Sequence, residues 1–344
     1  MKNFKLLIIS IVLLSACNSS KEYVNNDGKR TYRIGFYNVE NLFDLENNPD
    51  KIDDDFTPEG RNNWNQERYT KKINDLARVI EAMKYPAILG VCEVENQAVC
   101  KDFCEKTSLS AKGYGVVHYE SPDKRGIDNA FLYQKKAFRV LSSNNIRIEF
   151  PAGMLEEEDY KTRDAIYVRG IFHKKDTFHF FVNHWPSRRG GLEKSEPKRT
   201  YVAKQIRKEV DAIYQKSPKA NIVIMGDFND EPTNKSLQEV LGATMDRSAC
   251  QPTGLYNLMS NLDKEGKGSY NYRGNWNMLD QLIVSCNLAN DRGYSFSEPV
   301  IFKADWMIYK DKKYGDKPNR TYGGPNYYGG FSDHYPIYVD FVVQ

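Results

Sequence analysis

Short apolar runs that each stop on a polar pair constrain this chain more than any other feature. The run at 33–37 leads into Asn38 and Glu40, and the run at 87–94 carries Glu93 with Glu95 just beyond it. Residues 178–183 end on Asn183 and His184, 221–225 lead to Asp227 and Asn229, and 279–284 contain Asp280. Asp333 and His334 precede a last run in which Ile337, Val339 and Phe341 alternate. Runs of this length and composition read as strands. Polar side chains at strand ends project from a rigid scaffold into a common cleft.

The rest of the chain fits around those strands. Further strands are expected at 116–119, 130–133, 146–150 and 166–172, with the turn before 178 at residues 174–176. Ile73, Leu76, Ala77, Ile80 and Met83 recur at helical spacing, and Tyr85-Pro86 stops that helix. A second long helix is predicted from near Pro197, with Val202, Ala203, Ile206, Val210 and Ile213 on one face, and a short one at 237–241. Hairpin-spaced strands outnumber the helices. The expected fold class is therefore α/β, a four-layer sandwich of two packed, mainly antiparallel mixed sheets flanked by helices. No internal repeat divides the 344 residues, so one domain is expected over 32–344.

Charge narrows the choice of partner. Lys plus Arg, 49, less Asp plus Glu, 46, leaves +3. Taking away Lys2 and Lys5 with the first 16 residues leaves +1. A protein that coats polyanions is far more basic. Action on a phosphate must come from a local site.

The N-terminus reads as an export signal. Two lysines precede the apolar stretch 6–14, and Leu14-Ser15-Ala16-Cys17 follows. That stretch spans about half a bilayer. The Cys resembles the acylated residue of a bacterial lipoprotein box, which implies a signal peptide at 1–16, lipid on Cys17 and a polar linker to residue 31. An ordinary cleaved signal is the alternative. The expectation is an exported chain, anchored by lipid to a bacterial membrane or cell surface and otherwise monomeric. Of the other cysteines, Cys100 and Cys104 join Val99 and Phe103 on an apolar helix face and read as core. The odd number that remains supports neither a full disulfide framework nor a zinc site.

The residue types at the strand ends have a chemistry of their own. Oxygen donors from Asn, Asp and Glu suit a hard cation such as Mg²⁺, bound through one or two carboxylates plus substrate oxygens. Imidazoles beside them hold phosphate oxygens or move protons. Each motif alone has a bland reading as a turn or a solvated edge.

Together, Asn38-Val39-Glu40-Asn41, Cys92-Glu93-Val94, Asn183-His184, Gly226-Asp227-Phe228-Asn229, Asp280-Gln281-Leu282 and Ser332-Asp333-His334 resemble the endonuclease/exonuclease/phosphatase superfamily. The resemblance runs from about 32 to 342 and is similar to a secreted bacterial branch. It implies a metal-dependent phosphoric ester hydrolase using Mg²⁺, Mn²⁺ or Ca²⁺. By that resemblance Asn38, Glu93 and Asp333 hold the metal. Asp227 orients or deprotonates water, and Asn229 contacts phosphate. His334 is polarised by Asp280, and His184 is a second histidine with Asp128 as its acidic partner. Cys92 stands where many members have Gln.

Substrate choice stays open at this level. Arg188 and Arg189 open a basic run after His184, and Arg163 and Arg273 lie near other strand ends, which suits a nucleic-acid backbone. Glutamates within the run equally suit a solvated loop. The Tyr- and Gly-rich stretch 314–330 leads into Asp333. The leading reading is a phosphodiesterase or nuclease acting on extracellular nucleic acid; the alternative is a phosphatase or phosphodiesterase for small or lipid esters (inositol phosphate-like or sphingomyelin-like), and a noncatalytic binding protein on the same scaffold is the third class.

Overall fold

The computed structural model describes residues 29–157, 159–173, 176–290 and 293–343. The leader, Cys17 and most of the linker lie outside them. So do residues 174 and 175 of the expected turn.

In chain order the strands are β1 (Thr31–Leu42), β2 (Ile88–Val94), β3 (Tyr114–His118), β4 (Asp128–Gln134), β5 (Phe138–Ile146), β6 (Ala165–Phe172), β7 (Asp176–His184), β8 (Asn221–Asp227), β9 (Ala243–Thr244) and β10 (Leu255–Asn257). The small hairpin β11 (Tyr270–Tyr272) and β12 (Asn275–Asn277) precedes β13 (Asp280–Ser285), β14 (Tyr294–Phe296) and β15 (Val300–Ile301). Two further hairpins, β16 (Ile308–Asp311) with β17 (Gly315–Pro318) and β18 (Tyr322–Gly323) with β19 (Asn326–Tyr327), lead to β20 (Ile337–Val343).

Two seven-stranded sheets result. One runs β14-β20-β1-β2-β4-β3 with β15 also on β20, and the other runs β5-β6-β7-β8-β13-β10-β9. Each centres on a parallel pair, β1 with β2 and β7 with β8, inside otherwise largely antiparallel neighbours. The sheets face each other through Phe36, Ile88, Cys92 and Phe131 on one side and Phe180, Val223, Met225 and Leu282 on the other.

Helices close both outer faces. In α1 (Gln66–Ala82), the Asn65 side chain accepts from Arg68 N at the start, and Ile73, Leu76, Ala77 and Ile80 are buried. In α2 (Gln97–Glu105), Asn96 caps Ala98 N and Val99 N, and Cys100 and Cys104 are buried with Val99 and Phe103 as expected. Both helices pack against Leu89, Val91, Ala130 and Leu132. On the far side α3 (Leu192–Lys216) covers Phe181, Ile222, Ile224 and Ile283 with Val202, Ala203, Ile206 and Val210. This is the four-layer α/β sandwich. Among the described residues no helix is long and apolar enough to cross a membrane.

Some boundaries differ from expectation. The strand expected at 146–150 does not form: residues 147–150 are irregular, and pairing with β6 instead makes 138–146 the strand β5, which the sequence reading did not place. α3 begins at Leu192, five residues before Pro197, and the short helix at 237–241 is a π-type turn over Ser236–Val240. Cys250 and Cys286 form a disulfide that spacing did not reveal.

Candidate active site

Parallel pairing brings the ends of β1 and β2, and of β7 and β8, to one edge of the sandwich. Gly226 permits the close fit of β8 on β7: a Cβ there would lie 2.4 Å from Asn183 O. At that edge four non-glycine residues adopt left-handed backbone conformations, Glu40 (φ 52°), Asn41 (φ 49°), Glu93 (φ 64°) and Asn229 (φ 50°). Glu93 sits where the β2 ladders shift register against both β1 and β4. Such strain is concentrated where side chains must be aimed rather than packed.

Asn38 is the hinge between the sheets. Its Nδ2 donates to Glu93 Oε1 at 3.3 Å and to Asp227 Oδ2 at 3.1 Å. Glu93 Oε2 accepts from Asn41 N at 3.0 Å. Asp227 pairs with Asp280 across the antiparallel β8–β13 ladder, and its Oδ1 accepts from Asn229 N at 2.9 Å. His334 Nδ1 lies 2.6 Å from Asp280 Oδ2, and its Nε2 faces Asp227 Oδ2 at 3.8 Å. His184 Nε2 approaches the same Asp227 oxygen at 3.7 Å and Glu93 Oε1 at 3.9 Å. Asp280 also takes a short hydrogen bond from Ser269 Oγ. Glu93, His184, Asp227, Asn229, Asp333 and His334 line one cleft of about 630 Å³.

The electrostatics separate the two histidines. Burial, followed by the charges of Arg163 and Arg125, pushes His184 well below the usual imidazole range. Burial also opposes charge on His334, but Asp280, Asp227 and Asp333 outweigh it and hold this ring well above that range. Burial raises the Asp227 carboxyl, with His334 opposing. The cleft thus pairs a neutral imidazole with an imidazolium about one carboxylate.

The donor set fits a hard divalent cation. Glu93 and Asp333 keep side chains 14% and 22% exposed toward the cleft, and carboxylate oxygens are what such an ion takes. Asn38 differs from its expected part. Its Oδ1 accepts from Glu40 N at 3.0 Å while its amide nitrogen spans both carboxylates, so here it positions acids instead of offering an oxygen.

Two further expectations are corrected. Asp128 does not partner His184. Its Oδ1 accepts from Ser121 N at 3.0 Å, its Oδ2 lies 3.7 Å from His118 Nε2, and His184 Nδ1 is buried with no hydrogen-bond partner among the described residues. The reason is strand alternation: Asp128 shares the α1/α2 side of β4 with Ala130 and Leu132. Arg163 is not a substrate contact either. Its side chain is 4% exposed, and it donates to Asp123 Oδ2 at 3.1 Å and Trp185 O at 2.6 Å.

The other arginines divide. Arg188 lines the cleft but donates to Asn229 O, Asn277 Oδ1 and Asn234 Oδ1 at 2.8, 3.0 and 3.1 Å. Arg189 and Arg125 line it too. Arg273 is exposed with its guanidinium over the Tyr272 ring, and Tyr272 and Tyr270 form the opposite wall.

Sequence reasoning missed a partly buried support behind Asp333. Arg320 bridges Asp333 Oδ2 at 3.1 Å and Glu40 Oε1 at 3.2 Å, and Glu40 Oε2 accepts from Thr321 N at 2.6 Å. Lys72 Nζ donates to Thr321 Oγ1 and Phe331 O, both at 2.6 Å. Burial moves the Glu40 carboxyl up to about 7 and the Lys72 ammonium down to about 8. The available signal was Lys72 itself, a lysine on the apolar stripe of Tyr69, Leu76 and Val79.

Several solved structures share this fold. A mannosyl-6-phosphatase from Bacteroides thetaiotaomicron is 16% identical, with 90% of this chain and 99% of that one covered at a TM-score of 0.54. The human Nocturnin catalytic domain with bound sulfate is 19% identical over 91% and 95% of the two chains, TM-score 0.53. An endonuclease/exonuclease/phosphatase family protein of Bacteroides thetaiotaomicron is 14% identical over 92% and 99%, TM-score 0.54. No curated protein matches the sequence significantly. A sequence model of the Endonuclease/Exonuclease/phosphatase family spans residues 33–342. With two seven-stranded sheets and acids and imidazoles gathered in one cleft, the chain belongs to that family of metal-dependent phosphoester hydrolases.

Proposed function

We propose that this cleft hydrolyses a compact phosphate ester, with Glu93 and Asp333 holding one divalent cation, Mg²⁺ or Mn²⁺ by donor chemistry. The observation that carries this reading is Asp227, faced by His184 and His334 at 3.7 and 3.8 Å in a cleft that both walls enclose. When bound, the cation offsets charge on phosphate and leaving oxygens.

The chain's own residues do the rest. Asp227, with its raised affinity for protons, takes the proton of the attacking water. The His334 imidazolium, fixed through Nδ1 by Asp280, holds a nonbridging oxygen by Nε2. Asn229 and His184 complete the cradle from the second sheet. Water attacks phosphorus in line, the opposite P–O bond breaks, and the leaving oxygen takes a proton from bulk water.

The compact substrate is favoured because the basic track is short. Arg163 is internal and Arg188 is tied to three partners, which leaves Arg125 and Arg189 to meet further phosphate at the rim. Single-stranded nucleic acid is the second reading, favoured by exposed Tyr272 beside Arg273 as a stacking surface. The lipoprotein-type leader would deliver either activity outside the cytoplasm.

The test is purified protein with Mg²⁺, Mn²⁺ or Ca²⁺ against sugar phosphates, inositol phosphates, sphingomyelin, DNA and RNA. Chelator-sensitive release of phosphate from small esters, silenced by Glu93→Ala, is expected. Digestion of DNA or RNA alone replaces the first reading with the second, and no hydrolysis of any ester overturns both.

A further inference from the structure

The end of β3 and the start of β4 bring together three side chains that the phosphoester cleft does not use. His118, Glu120 and Asp128 each present a donor atom within 4.8 Å of the others. The side chains of His118 and Asp128 are 2% and 1% exposed. His118 Nε2 and Asp128 Oδ2 point at each other across 3.7 Å, and neither atom has a hydrogen-bond partner among the described residues.

That separation is too long for a hydrogen bond. It is close to the roughly 3.4 Å between two donors that each lie about 2.1 Å from a tetrahedral zinc ion. Asp128 Oδ1 is held by Ser121 N at 3.0 Å, which leaves Oδ2 turned toward the imidazole. Glu120 is exposed and forms the mouth, so it supplies both a third donor and an entry path. Water or a fourth donor from the mouth completes a zinc shell.

The surroundings accept a cation. Lys51 sits beside both carboxylates, but its ammonium donates to Ser121 O at 2.8 Å and Asp123 O at 3.0 Å. It lowers the local charge without occupying the three donors.

We infer that His118, Glu120 and Asp128 form a second metal site, apart from the cleft, for a zinc-like divalent cation. Imidazole with carboxylates selects such an ion, whereas the all-oxygen acids of the cleft suit Mg²⁺. Asp128 pairs in register with Val94, the residue after Glu93. An ion there ties β3 and β4 to the strand end that carries the cleft carboxylate, a bracing role.

The site is tested by metal retention. Protein stripped with a chelator is given Zn²⁺ in excess Mg²⁺, freed of unbound ion, and analysed for zinc and for thermal unfolding. Glu93→Ala, which weakens the cleft, is expected to keep about one zinc per chain and to unfold at higher temperature with zinc. Adding His118→Ala to that variant is expected to remove both effects. X-ray absorption of the zinc-loaded Glu93→Ala protein should show one imidazole with oxygen neighbours. Should His118→Ala prevent folding by circular dichroism, Asp128→Asn gives the same comparison at nearly unchanged volume. Zinc retained equally with and without these side chains, or not retained in Glu93→Ala, overturns the inference.

Discussion

Asp280 Oδ2 lies 2.6 Å from His334 Nδ1 and leaves the opposite ring nitrogen facing Asp227 at 3.8 Å. Asp280 itself is fully buried on β13 and reaches the cleft through that ring. One carboxylate therefore sets the orientation of the imidazole next to phosphate and leads Asp227 and Asp333 in keeping it charged.

Asp280→Asn keeps the shape and removes that charge. Hydrolysis should fall by about 10²–10³ in kcat, the cost of losing one preorganised transition-state contact, or roughly 2.7–4 kcal/mol. Initial rates on the best ester, with folding checked by circular dichroism, decide it. A kcat equal to the parent's would remove His334 from the proposed chemistry.

Arg163 and Arg189 should behave as opposites. Arg163→Met removes the buried partner of Asp123, leaving it only the half-exposed Arg125 at 3.6 Å, and should lower stability by up to about 3 kcal/mol. Arg189→Ala, on the exposed rim, should change stability by less than about 0.5 kcal/mol and raise KM instead. Denaturant unfolding and steady-state kinetics on both variants separate the two roles.

His179 supplies an acid sensitivity unrelated to the cleft. Its ring accepts from or donates to Tyr167 Oη at 2.7 Å, and burial, aided by Arg169, moves it down to about 4. The folded state then binds fewer protons than the unfolded one. Its contribution is complete above the unfolded value near 6.5 and is lost as pH falls from there toward 4. The loss is on the order of 3 kcal/mol at most. Urea unfolding at several pH values should show a shallower acid slope in His179→Gln, and an unchanged slope would reject the assignment.

The Cys250–Cys286 disulfide closes a loop with a sequence separation of 36. Chain-entropy arguments give such a link about 3–4 kcal/mol. Reductant should lower the melting temperature of the parent and leave a Cys250→Ser, Cys286→Ser double variant unmoved.

By itself, the order of residues determined the fold class, the helix faces and the strand ends that carry Asn38, Glu93, His184, Asp227, Asp280 and Asp333. Period-two and helical spacing are local properties, and a polar residue closing an apolar run is visible without any partner. Only the tertiary structure decided which side chains meet. Asp128 and His184 lie on elements of different sheets, and the side of β4 that Asp128 faces depends on β2 and β3 pairing with it. Arg163, read as a surface cation, is drawn inward by Asp123 and a carbonyl 22 residues downstream. The bridge from Lys72 through Thr321 and Glu40 to Arg320 joins residues up to 281 positions apart. Contacts of that range depend on how two sheets stack, because a buried charge takes whatever partner the packing brings within reach.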